Sequence, residues 1–430
     1  MKARQNNASR SPWFWVPTLY FAEGIPYFLV NVISVTMFKR LGMGNADLAM
    51  YTSLLYLPWV IKPLWSPLVD VFRTKRWWIV VMQAAMTLCF TALALSLPGK
   101  VGESLGAFVP ALVIFYISAM LSATHDIAAD GFYMLALDEH RQSLFVGIRS
   151  TFYRIASVFG QGVIVVVAGL LETRMDDIPR AWTATLLGAS FLLLLLTLWH
   201  KFLLPAEPLA LHDPVQQEKR SIGRAFATFF RKPGIWLAMV FMLLFRLPEA
   251  LSVKMLTPFL LDTTDVGGLG LSTAQSGLVY GTVGVIALTL GGILGGLWSA
   301  RVGLRKALWP MALSLALPCA VYLFMALTQP TRIWVVYLCV AFDQFGYGFG
   351  FTAYMLYMMY FSEGEYKTSH YALCTAFMAL SMMVPGFFAG MLQERLGYVG
   401  FFILVMLCCL ATIGVTALLP RHIRPDYGKK

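Results

Sequence analysis

Twelve stretches of about 20 or more predominantly apolar residues run through this chain: 14–36, 48–69, 77–97, 107–130, 144–171, 182–204, 235–261, 273–299, 306–327, 333–360, 368–393 and 398–419. Each is long enough to cross the hydrocarbon of a bilayer as a helix, and too long for the strands of a membrane barrel. Lipid offers the backbone no hydrogen-bond partners, so each run has to satisfy its own peptide groups, which only a helix does within one segment. The longest hydrophilic stretch, 205–234, divides the runs six and six. The expected architecture is all-α and polytopic, with 12 transmembrane helices in two pseudo-symmetric six-helix halves, 1–204 and 235–430, joined by a cytoplasmic linker over 205–234.

Composition agrees with lipid rather than water as the main solvent. Only 13% of residues are charged and 58% are hydrophobic, where soluble domains carry about 25% charged residues. The first apolar run follows residues 1–10 directly and shows no small-residue cleavage pattern, so it reads as the first membrane helix rather than a signal peptide. With the N-terminus placed inside, the cytoplasmic segments hold 21 Lys and Arg and the opposite segments 7. The positive-inside bias therefore predicts that both termini are cytoplasmic. It also makes the net charge of +11 topological, so no nucleic-acid partner is expected. All six cysteines lie inside apolar runs without metal or redox spacing, and neither a metal nor a cofactor is implied. Trp13, Trp15, Trp59, Trp65, Trp77 and Trp78 fall near helix ends and read as interface belts. The basic amphipathic segment 221–232 reads either as a surface helix or as plain linker.

The two halves resemble each other. LGMGNADLAMYTSLLY (41–56) aligns with LGLSTAQSGLVYGTVG (269–284) at the start of the second helix of each half. Asp126 and Asp343 fall in the fourth helix of each, and basic hairpins, 70–78 and 299–308, close helices 2 and 8. Internal repeats of this kind mark transporters whose site lies between the repeats. Six plus six helices with these hairpins suggest the major facilitator arrangement, although of that group's loop pattern only Asp70 and the bases after it fit.

Ten ionisable residues lie inside the apolar runs: Glu23, Lys62, His125, Asp126, Asp130, Arg154, Arg246, Glu249, Lys254 and Asp343. Each costs about 2.5–3.5 kcal/mol to insert at mid-bilayer on translocon scales, so they are either a path for solute and protons or structural pairs. Asp126 and Asp130, at i and i+4, share a helix face and repel. Asp126 is the leading candidate for proton coupling; Asp130, placed at the helix end, is read as a second coupling acid or as a latch to a base on helix 5. Arg154 is the expected partner of Asp126 across helices 4 and 5, because a buried guanidinium needs an anion. Lys62, beside Pro63 and Pro67, is either a cavity cation or a snorkelling lysine.

Helices 1 and 7 each carry proline beside charge, in FAEGIPYF (21–28) and FRLPEALSVKM (245–255). Proline frees carbonyls and bends helices, and bent helices at mid-depth are where transporter ligands bind. Glu23 and Asp343 join the coupling candidates. Arg246, Glu249 and Lys254 join the substrate-binding ones, with an Arg246–Glu249 pair at i, i+3 as the structural alternative. Tyr27, Tyr56, Tyr347 and Tyr354 lie deep enough to stack on sugar rings.

Five segments taken in order carry a family resemblance: KPLWSPLVD (62–70), HDIAADGFY (125–133), YRIA (153–156), DQFGYGFG (343–350) and the stretch 371–402. The chain resembles AmpG-type muropeptide permeases and the related acetyl-coenzyme A transporters. The resemblance implies a proton-coupled symporter of the bacterial inner membrane that imports GlcNAc-anhydro-MurNAc and its peptides, acting as a monomer. By motif it carries over Lys62, Asp126, Asp130, Tyr153, Arg154 and Asp343. Glu23 departs from the family pattern, standing where a small or neutral residue precedes Gly-x-Pro. The alternatives are a transporter of another anionic or sugar-containing solute, such as a coenzyme A ester or siderophore, and, more remotely, a polytopic membrane enzyme. The enzyme reading lacks a loop-borne catalytic set; residues 138–141 form an isolated hydrophilic turn.

Overall fold

The computed structural model describes residues 11–137, 139–205, 222–364, 367–425 and 427, and among them every regular element is helical. Ten continuous helices are long and apolar enough to span a membrane. They are α1 (Pro12–Arg40), α3 (Lys75–Leu95), α4 (Leu105–Ala136), α5 (Glu139–Val158 continuing to Met175), α6 (Ile178–Leu203), α7 (Ile235–Leu261), α8 (Thr273–Val302), α9 (Leu304–Thr328), α10 (Ile333–Phe361) and a final rod, Lys367–Leu418. The rod is two helices, α11 (367–396) and α12 (398–418), because Gly397 breaks it with a φ of 66°. The remaining pass, α2, is cut into pieces (Asn45–Leu54, Leu57–Ile61, Lys62–Leu64, Ser66–Val71). Pro58, Pro63 and Pro67 supply the breaks, since each lacks an amide donor. Among the described residues twelve passes result, at the expected positions. α4 runs past its expected end to Ala136, so Asp130 lies within the helix and not at its terminus.

The outward faces are apolar and uncovered: Leu88, Leu170, Leu338 and Leu410 are each more than 60% exposed, as suits a molecule whose solvent is lipid. Inside α1–α6, Phe38, Phe90, Phe115 and Trp182 centre the packing. Two clusters organise α7–α12, one around Phe241, Phe245 and Tyr354, the other around Phe259, Tyr322 and Phe402. Tyr354 donates to the Met242 carbonyl at 2.7 Å and is fully buried. It is a core residue, unlike the ring-stacking role expected of it, because α7 has closed against that end of α10. Trp15, expected in an interface belt, is likewise buried, edge-on to Phe132.

α5 and α8 cross between the two groups of helices through wide π-helical turns, Phe159–Ile164 and Gly277–Gly284. The approach is backbone to backbone: a Cβ on Gly281 would sit 1.9 Å from the Gln161 carbonyl oxygen. The repeated segment at 269–284 starts α8 with a capping box, in which Ser272 and Gln275 satisfy each other's amides.

The short helix Ile222–Phe230 docks on the second group of helices. Phe229 is fully buried against Phe361 and Phe377. Lys232 donates to the carbonyls of Phe361 and Glu363 at 2.5 and 2.7 Å, covering the exposed carbonyl end of α10. This segment is more than a tether. Residues 206–221 of the expected linker, and Asp138 of the hydrophilic turn, lie outside the described residues.

Candidate functional site

At the end of the molecule opposite the termini, the distal end, polar side chains tie the two groups of helices together. Lys39 on α1 is paired with Asp262, just after α7, at 2.6 Å. Asn45 at the start of α2 donates to Gln393 on α11 at 2.7 Å, and Tyr398 on α12 donates to Asp262 at 2.6 Å. The amide of Ala46 donates to Glu394 at 2.8 Å. Glu172 on α5 accepts from Thr273 on α8 at 2.6 Å and pairs with Arg40 at 3.0 Å. These contacts form a seal. None of its members stands out in the sequence, where polar residues at helix ends look like ordinary loop chemistry; the one available signal is that Asn45 and Thr273 occupy the repeated segment.

Between α1, α2, α4 and α5 lies a cluster of charge. Lys62 falls on the break of α2 made by Pro63 and is ion-paired with Asp126. One turn along α4, Asp130 pairs with Arg149 of α5 at 2.6 Å and accepts from Tyr20 of α1 at 3.2 Å. The Arg149 guanidinium lies 4.4 Å from the centre of the Tyr20 ring, a cation–π contact that shields it. Glu23, one turn from Tyr20, is buried, and its Oε2 finds no hydrogen-bond partner. Carboxylate oxygens of Glu23, Asp126 and Asp130 lie within 4.8 Å of one another. Three acids against two bases leave the cluster one negative charge in excess if all are ionised.

Asp126 is therefore held by Lys62 and not by Arg154. Tyr153 faces α1, with its ring 5.6 Å from Phe28 and 6.3 Å from Tyr27. The next residue is turned about 100° around the helix, so Arg154 faces α8, where a Cβ on Gly292 would lie 3.4 Å from its Nη2. Among the described residues Arg154 has no ion-pair partner. Lys62 is fixed by an ion pair, which sets aside the snorkelling alternative. The base that meets Asp130 is Arg149, as the latch reading expected of helix 5.

His125 does not join this cluster. Its Nε2 meets Gln83 Nε2 at 2.9 Å, and Gln83 Oε1 meets His200 Nδ1 at 2.9 Å, a buried chain that ties α4, α3 and α6. The amide oxygen can only accept, so His200 carries its proton on Nδ1, and the amide nitrogen donates to a bare His125 Nε2.

The second group of helices carries its own polar cluster. Arg246 and Glu249 form a two-pronged pair at 2.7 and 2.8 Å, and Arg246 also donates to the Tyr347 hydroxyl at 2.9 Å. Asp343 is buried and accepts from Tyr322 and from Gln344. A pocket between α7, α9 and α10 is lined by Glu249, Ser252, Tyr322, Asp343, Gln344 and Tyr347. Glu23 and Asp126 on α1 and α4 thus have counterparts in Glu249 and Asp343 on α7 and α10, one acid pair in each half of the repeat. Lys254 is buried between α7 and α2. Tyr27 stands edge-on to Trp59 at 5.2 Å, so these two rings with Tyr153 make an aromatic wall beside Glu23. Tyr56 lies under the Lys254 ammonium.

Residues 18–384 match the Major Facilitator Superfamily. The anhydromuropeptide permease of Escherichia coli (strain K12) is 25% identical over 394 residues, covering 90% of this chain and 75% of that protein. An uncharacterized protein of Haemophilus influenzae is 23% identical over 401 residues, covering 89% and 88%. Among solved structures, the nucleoside transporter NupG superposes with a TM-score of 0.70 at 15% identity, over 95% of this chain and 98% of its own. A D-xylose-proton symporter gives 0.67 at 12% identity, over 97% and 99%. The structural likenesses speak for the fold. Together with the apolar helices, these matches make the protein a multi-pass transporter of the bacterial inner membrane that carries a small molecule, and not an enzyme. The chain belongs to the Major Facilitator Superfamily, and its sequence likeness within it is to AmpG-type permeases.

Proposed function

We propose that this protein is a proton-coupled symporter that imports muropeptides, GlcNAc-anhydro-MurNAc and its peptides, and that it works as a monomer with both termini in the cytoplasm. The halves are taken as 1–204 and 235–430, joined by 205–234. The observation that carries the coupling is the cluster of Glu23, Asp126 and Asp130 against Lys62 and Arg149. Its excess negative charge, at membrane depth, is balanced by one proton. The open oxygen of Glu23 and the paired state of the two aspartates suit a proton better than a metal ion, which would have to displace Lys62 or Arg149. The substrate assignment rests on the likeness to the anhydromuropeptide permease.

In this reading the distal seal opens to the periplasm, and the cluster takes its proton while the seal is open. The muropeptide then enters between the halves. Its sugar rings lie along Tyr27, Tyr153 and Tyr347, and its carboxylates meet fixed cations, with Arg154 free to serve. Closing the seal commits both to the cytoplasmic side, where the proton leaves and Lys62 and Arg149 again neutralise the aspartates. Glu249 and Asp343 hold the equivalent positions in the second half; Arg246 restrains Glu249, and Asp343 is a second acid able to carry a proton. The experiment is uptake of labelled GlcNAc-anhydro-MurNAc into proteoliposomes under an inward proton gradient. Accumulation abolished by a protonophore supports the reading; no uptake by folded protein sinks the substrate assignment.

A further inference from the structure

We propose that Lys254, Thr52 and Ser53 form a carboxylate-binding subsite directly beneath the distal seal; the inference rests on the transport reading above and names the group this part of the path recognises. Lys254 on α7 lies eight residues, about two turns, below Asp262, which follows the helix end. Thr52 lies seven residues below Asn45 on α2, so both stand the same depth under the seal. The Lys254 side chain is almost wholly buried, with the residue 3% exposed. Its Nζ donates to Thr52 Oγ1 at 3.2 Å and lies 5.1 Å from the centre of the Tyr56 ring. Among the described residues no carboxylate pairs with it. Lys62 and Arg246, by contrast, are each paired with an acid.

An ammonium has three donors, and Thr52 uses one. The neighbouring group is an independent sign of a missing partner: Ser53 Oγ is fully buried and makes no hydrogen bond. The two are side by side. A Cβ on Gly386 of α11 would lie 2.7 Å from Ser53 Oγ and 3.1 Å from Lys254 Cγ, so the hydroxyl and the lysine stem flank the same glycine. A buried cation with unused donors beside an unused hydroxyl needs an acceptor that carries charge. A single ammonium matches a singly charged carboxylate, whose arrival also supplies the counter-charge that burial denies the lysine. A phosphate monoester, with about two negative charges, would be left half-compensated by one ammonium. Thr52 and Ser53 come from one half and Lys254 and Gly386 from the other, so an occupant bridges the halves at the point where the seal opens and shuts. The peptide-free muropeptide offers such a group in the lactyl carboxylate of its muramyl residue.

The test uses the purified full-length protein and two probes, GlcNAc-anhydro-MurNAc as the free acid and the same disaccharide with that carboxylate converted to the carboxamide. Affinities are measured by calorimetry for the wild type, Lys254→Met and Ser53→Ala. The wild type should favour the acid by about tenfold. Lys254→Met should lose that preference, binding the acid and the amide about equally, and Ser53→Ala should narrow it without abolishing it. Equal affinities in the wild type, or an acid preference kept by Lys254→Met, overturns the subsite. If Lys254→Met does not fold, Ser53→Ala decides, and an unchanged preference there also overturns it. If neither probe binds the wild type, the muropeptide reading has failed by itself. Small carboxylates such as lactate and N-acetylmuramate are then scanned by thermal shift. Stabilisation of the wild type that Lys254→Met lacks keeps the subsite for another solute, and no shift from any of them removes it.

Discussion

Lys62 on α2 and Asp126 on α4 are ion-paired across a proline break, so the charge that neutralises the leading candidate for proton coupling sits on a pass cut into short helical pieces. A cation on a broken helix can withdraw without unwinding a regular one. If Asp126 alternates between Lys62 and a proton, Asp126→Asn should abolish proton-driven accumulation yet retain counterflow exchange of muropeptide. Lys62→Ala leaves a part-buried carboxylate without its cation and should lower the uptake rate by about tenfold in the same vesicles. Accumulation by Asp126→Asn against a gradient removes this residue from the coupling step.

Glu23 offers a separate test. Its free oxygen makes Glu23→Gln nearly isosteric, and the substitution removes the excess charge permanently. The expected result is uptake that no longer rises as the outside is acidified, with substrate affinity changed by less than about threefold, or under 1 kcal/mol. An unaltered pH profile would mean that the proton resides elsewhere, with Asp343 next to be changed.

The distal seal is open to a conformational measurement. Lys39 and Asp262 are both about 15% exposed in their side chains, so the pair is worth about 1 kcal/mol after allowance for solvent screening. Asp262→Asn removes it and weakens the contact from Tyr398. The open state at that end should gain about fivefold in population, read as longer spin-label distances between the distal ends of α1 and α7. Unchanged distances would place the seal's strength in Glu172 and Asn45 instead.

The chain of His125, Gln83 and His200 predicts a stability effect without a coupling effect. Gln83→Leu strips both imidazoles of a partner, at about 1–3 kcal/mol for each buried group left unpaired. The apparent melting temperature in detergent should fall, while uptake per folded molecule stays near wild type. Loss of proton dependence in this variant would instead make the chain part of the proton path.

Much of this is legible in the sequence, for identifiable reasons. Bilayer thickness sets helix length, so twelve passes can be placed to within a few residues, and the Arg246–Glu249 pair follows from i, i+3 spacing alone. Partners between helices are harder. Opposite charge and nearness in order match Arg154 to Asp126, but helical phase turns Tyr153 toward α1 and Arg154 toward α8. Tyr354 and His125 carry polar atoms that the core satisfies with a backbone carbonyl and a glutamine, and no local pattern announces that. The seal and the Lys254 subsite are invisible as assemblies because their members are far apart in the chain: Asn45 meets Tyr398 and Thr52 meets Lys254 only once the two halves are assembled.

The seal between α1, α2, α5 and their partners is held by charges and amides rather than by interlocked apolar side chains, and its outer members Lys39, Asp262 and Arg40 keep 15, 16 and 29% of their side chains exposed around a buried Asn45, Glu172 and Thr273. Its strength is therefore not a property of the protein alone. The fluid that bathes this end sets the screening length, about 10 Å at 0.1 M salt and about 30 Å at 0.01 M. If this end faces the periplasm, as proposed above, dilute or concentrated surroundings tighten or relax the seal without any regulator, so that osmotic history becomes an input to how readily this end opens.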